Sequence, residues 1–391
     1  MKTQFLSGNH VLLLRNGAEY FPALETAIKQ AQSTIYLQTY IFADDVIGNK
    51  IAQALKNAAL RGVMVHLLID GFGSKDLSKK FVEDLEETGI RLMFYRPKIS
   101  PWTFKKSRLR RLHRKVSVFD STLAFVGGIN IVDDYPQNVS QTQPPRIDYA
   151  VKIQGALLPE IASSCEKLWK RMAWKRLEWR SQATSIDAPV RASVLAVKSD
   201  TQAAFVLRDN VLHRRDIEQA YLIAIHQAQS EIIIANAYFV PGRHFRKALI
   251  NAVKRGVKVT LLLQGRKEHF LMFATHVFYS DFLKHDIEIF EYQKSFMHSK
   301  VAVIDGYWAT VGSSNIDPFS LLLAREANII VQDKAFAETL RADIMRCQMD
   351  GATKLEASSW QRSNLLKRGL AWLVYGAVRL FLGVIGAGGD V

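Results

Sequence analysis

The residues best placed for chemistry are two histidines, each two positions before a lysine. His113 and Lys115 stand in HRKVSVFDSTLAFVGGIN (113–130), and His298 and Lys300 in HSKVAVIDGYWATVGSSN (298–315). Both segments read His-x-Lys-x4-Asp-x6-Gly-(Gly or Ser)-x-Asn. The first fills it with Asp120, Gly127, Gly128 and Asn130, the second with Asp305, Gly312, Ser313 and Asn315. An imidazole can attack phosphorus or protonate a leaving alkoxide. Ammonium and amide groups neutralise phosphate oxygens as charge develops on them. Two such sets would clamp one phosphodiester from both sides. One histidine attacks and the other protonates the leaving group; an acceptor alcohol then reverses the roles, through a phosphohistidine. The residues alone leave open which histidine attacks. Neither a carboxylate-rich magnesium site nor a zinc-ligand spacing accompanies the motifs, so the expected chemistry needs no metal and no cofactor.

The elements that must position these residues come as a repeat. AIKQAQSTIYLQTYIF (27–42) matches AIHQAQSEIIIANAYF (224–239), and NAALRGVMVHLLIDG (57–71) matches NAVKRGVKVTLLLQG (251–265). With the motifs, three matched pairs follow in the same order, which means two copies of one domain. Residues 19–32 and 48–60 carry apolar positions at helical spacing, as do 216–229 and 244–255 in the second copy. The β-branched runs between them read as strands. The alternation predicts α/β architecture: two homologous domains, each a mixed and largely parallel sheet flanked by helices. The motif cores VSVF and VAVI read as strands, where i and i+2 point the same way. His113 therefore shares a face with Lys115, and His298 with Lys300. Asp120 and Asp305 fall on the other side or in the turn, where they hold the hairpin. The expected division is 1–185, 186–355 and a basic, apolar C-terminal segment 356–391.

Composition narrows the partner. The chain has 391 residues, 48% hydrophobic and 23% charged, which excludes wholesale disorder. Lys and Arg number 52 against 37 Asp and Glu, a net charge of +15 that calls for a polyanionic partner. Two cysteines, Cys165 and Cys347, exclude a disulfide framework and a cysteine zinc site. At the N-terminus only Val11 to Leu14 are consecutively apolar, too short for a signal-peptide core or a membrane span.

The duplicated motif resembles the hallmark of the phospholipase D superfamily, over about residues 10–350. That resemblance implies two domains whose motifs meet in one pseudo-twofold cleft. It carries over His113, Lys115, Asp120, His298, Lys300 and Asp305 as the catalytic motif positions, with Lys115, Asn130, Lys300 and Asn315 on the substrate phosphate. By analogy His113 is the nucleophile and His298 the general acid and base. The family also places a carboxylate after each motif to orient the histidine; Asp148 and Glu326 stand there. Within the superfamily, the wording around both motifs, with Asp133, Asp134 and Tyr135 after the first, is similar to bacterial cardiolipin synthases, in particular the shorter branch without paired N-terminal membrane helices. The implied reaction moves a phosphatidyl group between two phosphatidylglycerol molecules, giving cardiolipin and glycerol. Glycerol with phosphatidylethanolamine are further implied substrates, and a hydrolase or nuclease of the same fold is the competing reading.

Three segments lean toward an anionic phospholipid membrane, and no nucleic-acid partner is expected. Residues 97–115 hold eight basic residues, among them Arg111 and Arg114, and no acid, a run that would draw an anionic headgroup or a nucleic-acid backbone equally well. Residues 169–180 set Trp169, Trp174 and Trp179 among basic residues, as at a membrane interface. The C-terminal segment alternates apolar runs with Arg379 and reads as an interfacial or re-entrant helix. The expected location is the cytoplasmic side of the inner membrane, peripheral or monotopic.

Overall fold

The structure, a computed structural model, describes residues 3–96, 110–135, 144–175, 201–266 and 271–357, with Leu373 and Gly376. The first repeat runs β1 (Leu6–Arg15), α1 (Asn16–Gln30), β2 (Thr34–Thr39), α2 (Val46–Leu60), β3 (Met64–Asp70), α3 (Lys79–Glu87) and β4 (Arg91–Tyr95). The motif hairpin β5 (Lys115–Phe119) and β6 (Leu123–Gly127) follows, then β7 (Tyr149–Gly155) and α4 (Leu158–Lys175). The second repeat runs β8 (Thr201–Arg208), α5 (Asp216–Gln227), β9 (Glu231–Asn236), α6 (Arg243–Lys254), β10 (Lys258–Gln264), α7 (Leu271–Lys284) and β11 (Glu288–Tyr292). It ends with β12 (Lys300–Ile304), β13 (Trp308–Gly312), α8 (Pro318–Leu322), β14 (Glu326–Gln332), α9 (Lys334–Gly351) and β15 (Ala352–Lys354).

The helices begin where capping residues satisfy free N–H groups. Asp45 accepts from Gly48 N at 2.8 Å to start α2, and Ser78 accepts from Phe81 N at 3.1 Å to start α3. Phe21, Leu24, Ala27 and Ile28 form the buried stripe of α1 that the spacing predicts.

The strands form one 15-stranded order, β15-β11-β10-β9-β12-β13-β14-β8-β1-β7-β6-β5-β2-β3-β4. Read outward from the β8–β1 junction, both sides give the same seven-strand sequence of elements, and β15 adds an eighth strand at the edge of the second. The repeats thus join edge to edge through an antiparallel β1–β8 pair. Parallel pairing is confined to β2-β3-β4 and β9-β10-β11; every other pair is antiparallel. The sheet is mixed, as expected, but its pairing is mainly antiparallel rather than largely parallel. In each motif hairpin the reason is local: a three-residue turn joins the two strands, and so short a link permits only antiparallel pairing.

Helices α1, α2 and α3 cover the outer face of the first half, and α5, α6 and α7 that of the second. The inner faces pack on each other. Val116, Val118, Val126 and Val151 share one buried cluster with Val301, Val303, Val311 and Ile329. The expected boundary near residue 185, Trp179 and residues 97–109 lie outside the described residues, as do nearly all of 358–391. Among the described residues no helix is long and apolar enough to cross a membrane.

Asp120 and Asp305 are structural anchors. Asp120 Oδ1 accepts from Ser33 N, Thr34 N and Ser33 Oγ at 2.8–2.9 Å, and Oδ2 from Gln32 N at 2.9 Å. Asp305 repeats this with Gln229 N, Ser230 N, Ser230 Oγ and Glu231 N. Each ties its hairpin turn to the entry of the neighbouring strand, and each sits in the left-handed region, at φ 49° and 52°. Burial works against ionisation, but the backbone donors outweigh it and hold both carboxyls below their usual range. The stabilisation is therefore present above the unfolded-state carboxylate pKa and is lost as pH falls through the lowered folded-state value. Asp305→Ala is expected to remove about 2 kcal/mol of stability in urea melts at neutral pH. The gap to the parent should narrow on acidification; an unchanged midpoint at neutral pH would refute the anchor.

Candidate active site

Both histidines lie just before a strand, and the backbone of the other repeat holds each in place. His113 N and Arg114 N donate to Arg325 O at 3.0 and 2.8 Å, and Arg325 N donates to Arg111 O at 2.7 Å. On the other side His298 N donates to Ile147 O at 2.8 Å, and Ile147 N to Phe296 O at 3.0 Å. Arg325 immediately precedes Glu326, and Ile147 immediately precedes Asp148. This bonding carries each carboxylate to the histidine of the opposite repeat. His113 Nδ1 lies 2.9 and 3.1 Å from Glu326 Oε1 and Oε2. His298 Nδ1 lies 2.7 Å from Asp148 Oδ2. Each carboxylate named from the sequence thus contacts a histidine, that of the opposite repeat. Linear spacing carries no signal for that crossing.

Both lysines are buried. Lys115 Nζ donates to His113 O at 2.7 Å, and Lys300 Nζ donates to His298 O. Asn130 Oδ1 accepts from Ile41 N at 3.1 Å, and Asn315 Nδ2 lies 3.5 Å from Ser320 Oγ. Asp120 and Asp305 are not brought into the cleft; their oxygens are occupied at the hairpin turns. Listing them with the catalytic positions is corrected to an anchoring role.

Burial governs the electrostatics. It lowers His113, with Glu326 opposing, and lowers His298 well below the usual imidazole range, with Lys300 and Lys115 adding to it. Burial pushes Asp148 up to about 6 against the pull of Lys300. It brings Lys115 down to about 7, opposed by Glu326, and Lys300 down to about 8, opposed by Asp148. At neutral pH each imidazole is therefore neutral. With Nδ1–H donated to a carboxylate, Nε2 keeps its lone pair.

The two halves differ at one motif position. Ser313 Oγ donates to Glu326 Oε2 at 2.5 Å and accepts from Ala327 N at 3.1 Å. The equivalent Gly128 has no room for a side chain, since a Cβ there would come within 2.3 Å of Asp148 Oδ1. With its own proton committed, Ser313 keeps Glu326 Oε2 an acceptor. That favours a proton on His113 Nδ1 rather than on the carboxylate.

The sequence also concealed neighbours of the histidines. The Tyr40 ring meets His113 edge-on at 4.9 Å, and Lys115 Nζ lies 5.4 Å from its centroid. Phe296 stacks on His298 at 5.9 Å. Part of the expected basic surface is internal. Arg114 is buried on Gln38 Oε1 and Ser164 Oγ, and Arg111 pairs with Asp70 at 3.4 Å. Trp169 packs inside against His66, whereas Trp174 is exposed.

Comparison with known proteins agrees with this geometry. A family model described as "Cardiolipin synthase, PLD-like domain" matches residues 24–136 and 221–347, one match in each repeat. The chain belongs to this family. Cardiolipin synthase B of Escherichia coli K12 and that of Shigella flexneri are each 38% identical to it over 388 residues, covering 95% of this chain and 89% of theirs. The crystal structure of phosphatidylserine synthase from Haemophilus influenzae Rd KW20 superposes with a TM-score of 0.72 at 14% identity, covering 99% of this chain and 97% of that one. It shares the fold.

The crossed pairing has a direct check. In histidine-labelled protein, Glu326→Gln should shift the His113 resonances and lower its pKa further, with little change at His298. Asp148→Asn should do the reverse. Shifts at the histidine of the same repeat would overturn the crossing. The lysines give a second check. Both lose positive charge as pH rises through about 7 and 8. Affinity for sulfate, whose charge is constant there, should fall across that window, measured by calorimetry; a flat profile would refute charged lysines as the anion site.

Proposed function

We propose that this protein is a cardiolipin synthase that transfers a phosphatidyl group from one phosphatidylglycerol to a hydroxyl of another, releasing glycerol. The observation that carries the reading is the pair of crossed histidine–carboxylate contacts in a chain 38% identical to cardiolipin synthase B over nearly its whole length. His113 Nε2 attacks phosphorus, and the phosphorus–oxygen bond to glycerol breaks. The bound phosphodiester anion stabilises His298 in its protonated form, and His298 Nε2–H gives its proton to the departing glycerol oxygen. In the second step His298 takes the proton of the acceptor hydroxyl. That oxygen attacks phosphorus, and the bond to His113 Nε2 breaks. Ser313 supports His113 as the nucleophile, because it keeps Glu326 an acceptor for Nδ1–H. Lys115, Lys300, Asn130 and Asn315 neutralise the phosphate oxygens. Both substrates are lipids, so the protein works at an anionic membrane, on the cytoplasmic side of the inner membrane. Glycerol and phosphatidylethanolamine are further candidate substrates.

The test is a product assay on phosphatidylglycerol vesicles in EDTA, read by mass spectrometry. Cardiolipin with free glycerol is expected. His113→Ala and His298→Ala should each lower turnover by at least about a thousandfold. Phosphatidic acid as the sole product would make water the acceptor and replace transfer by hydrolysis. Full activity in either variant would refute the two-histidine mechanism.

A further inference from the structure

The second repeat departs from the first at the rim of the cleft. In the first, β1 ends at Arg15 and α1 begins at Asn16. In the second, β8 ends at Arg208 and α5 begins at Asp216, so a loop of residues 209–215 stands where the first repeat passes directly from strand to helix. This loop is rooted beside the catalytic groups. Arg208 faces Glu326 across the β8–β14 ladder. Its buried guanidinium donates to Leu321 O at 3.1 Å, to Ala324 O and to Asn210 Oδ1 at 3.0 Å. Asn210 Nδ2 donates to Leu323 O at 3.2 Å. The loop is thus fastened to the stretch that leads into Arg325 and Glu326.

The loop is built to hold its apolar tip outward. Asp209 Oδ1 accepts from Val211 N, Leu212 N and His213 N at 2.8, 2.9 and 3.1 Å. His213 Nδ1 meets Asp216 Oδ2 at 2.7 Å and closes the turn. Val211 is 64% and Leu212 79% exposed, and the exposed Arg214 and Arg215 follow. A single carboxylate that fixes three consecutive N–H groups prevents the tip from folding back. Two apolar side chains next to two arginines match an acyl layer under anionic headgroups.

We propose that residues 209–215 form a membrane wedge: Val211 and Leu212 enter the acyl boundary of an anionic phospholipid bilayer while Arg214 and Arg215 meet headgroup phosphates, seating the cleft rim on the lipid surface. The proposal rests on the phosphatidyl-transfer reading and adds the surface through which substrate arrives.

Leu212→Cys tests it in the full chain. Cys165 and Cys347 are buried, so an environment-sensitive label goes to the new thiol. On phosphatidylglycerol-containing vesicles the label should shift to the blue and be quenched by brominated lipid. A label on Leu60→Cys, at the 73% exposed end of α2 away from the cleft, should not be quenched. The double variant Val211→Glu, Leu212→Glu should lower vesicle partition about tenfold. Its turnover of short-chain monomeric phosphatidylglycerol should match the parent. An unquenched Leu212 label, or parental partition by the double variant, would overturn the wedge. So would loss of self-association with partition intact, which would assign the tip to a second copy of the chain. Quenching without any turnover by the parent would support the wedge and remove the transfer reading.

Discussion

Neither repeat completes its own site, because the carboxylate that orients each histidine belongs to the other repeat. Glu326 opens β14 and reaches back to His113; Asp148 stands before β7 and reaches across to His298. The same exchange appears in the backbone, where the segment before each motif bonds to the residue before the opposite carboxylate. Both halves of the sheet must therefore stand face to face in one register before either imidazole is oriented. The valine-rich layer between them supplies that register. A buried carboxylate without partners is costly, so a shifted register would leave Glu326 and Asp148 uncompensated. The chemistry and the packing of the halves are thus one constraint.

The cleft gathers titratable groups of both signs. Two lysines and two carboxylates are buried beside two imidazoles that keep 16% exposure each. Burial lowers the lysines to about 7 and 8 and raises Asp148 to about 6. In each of these groups burial disfavours the charged form. On the proposed reading, a phosphodiester between the lysines adds a negative charge that favours charged lysines and a protonated His298, the states the first transfer step needs.

What was legible in the sequence was what spacing along the chain determines. The repeat, the helical stripe of α1 and the shared face of each His–Lys pair follow from periods of 3.6 and 2. The same parity argument sets Asp120 away from His113, and the structure supplies its task at the hairpin turn. What failed depended on contacts between distant segments. Helix–strand alternation in the front part of each repeat suggested a largely parallel sheet, but the tight turns after β5 and β12 make each motif hairpin antiparallel, and the hairpins pair antiparallel with their neighbours on both sides. Arg114 was counted with the surface charge because its neighbours are basic; Gln38 and Ser164, far away in sequence, take it inside. Trp169 and Trp174 read as one aromatic group, yet five residues along a helix turn about 140°, so one is buried and the other exposed.

Duplication alone would give two equivalent histidines, whereas transfer requires one to hold the phosphatidyl group while the other carries the proton. The structure breaks the equivalence close to the reacting atoms. One histidine faces a glutamate held by Ser313; the other faces an aspartate that fits only because Gly128 has no side chain. One meets Tyr40 and the other Phe296. The Ser313 hydroxyl donates to Glu326 Oε2, whereas Asp148 Oδ1 accepts the backbone N–H of Tyr149 and burial raises its carboxyl to about 6. This asymmetry supports the proposed assignment: His113 as the nucleophile, which must keep a lone pair on Nε2, and His298 as the group that gives up a proton and recovers it within one turnover.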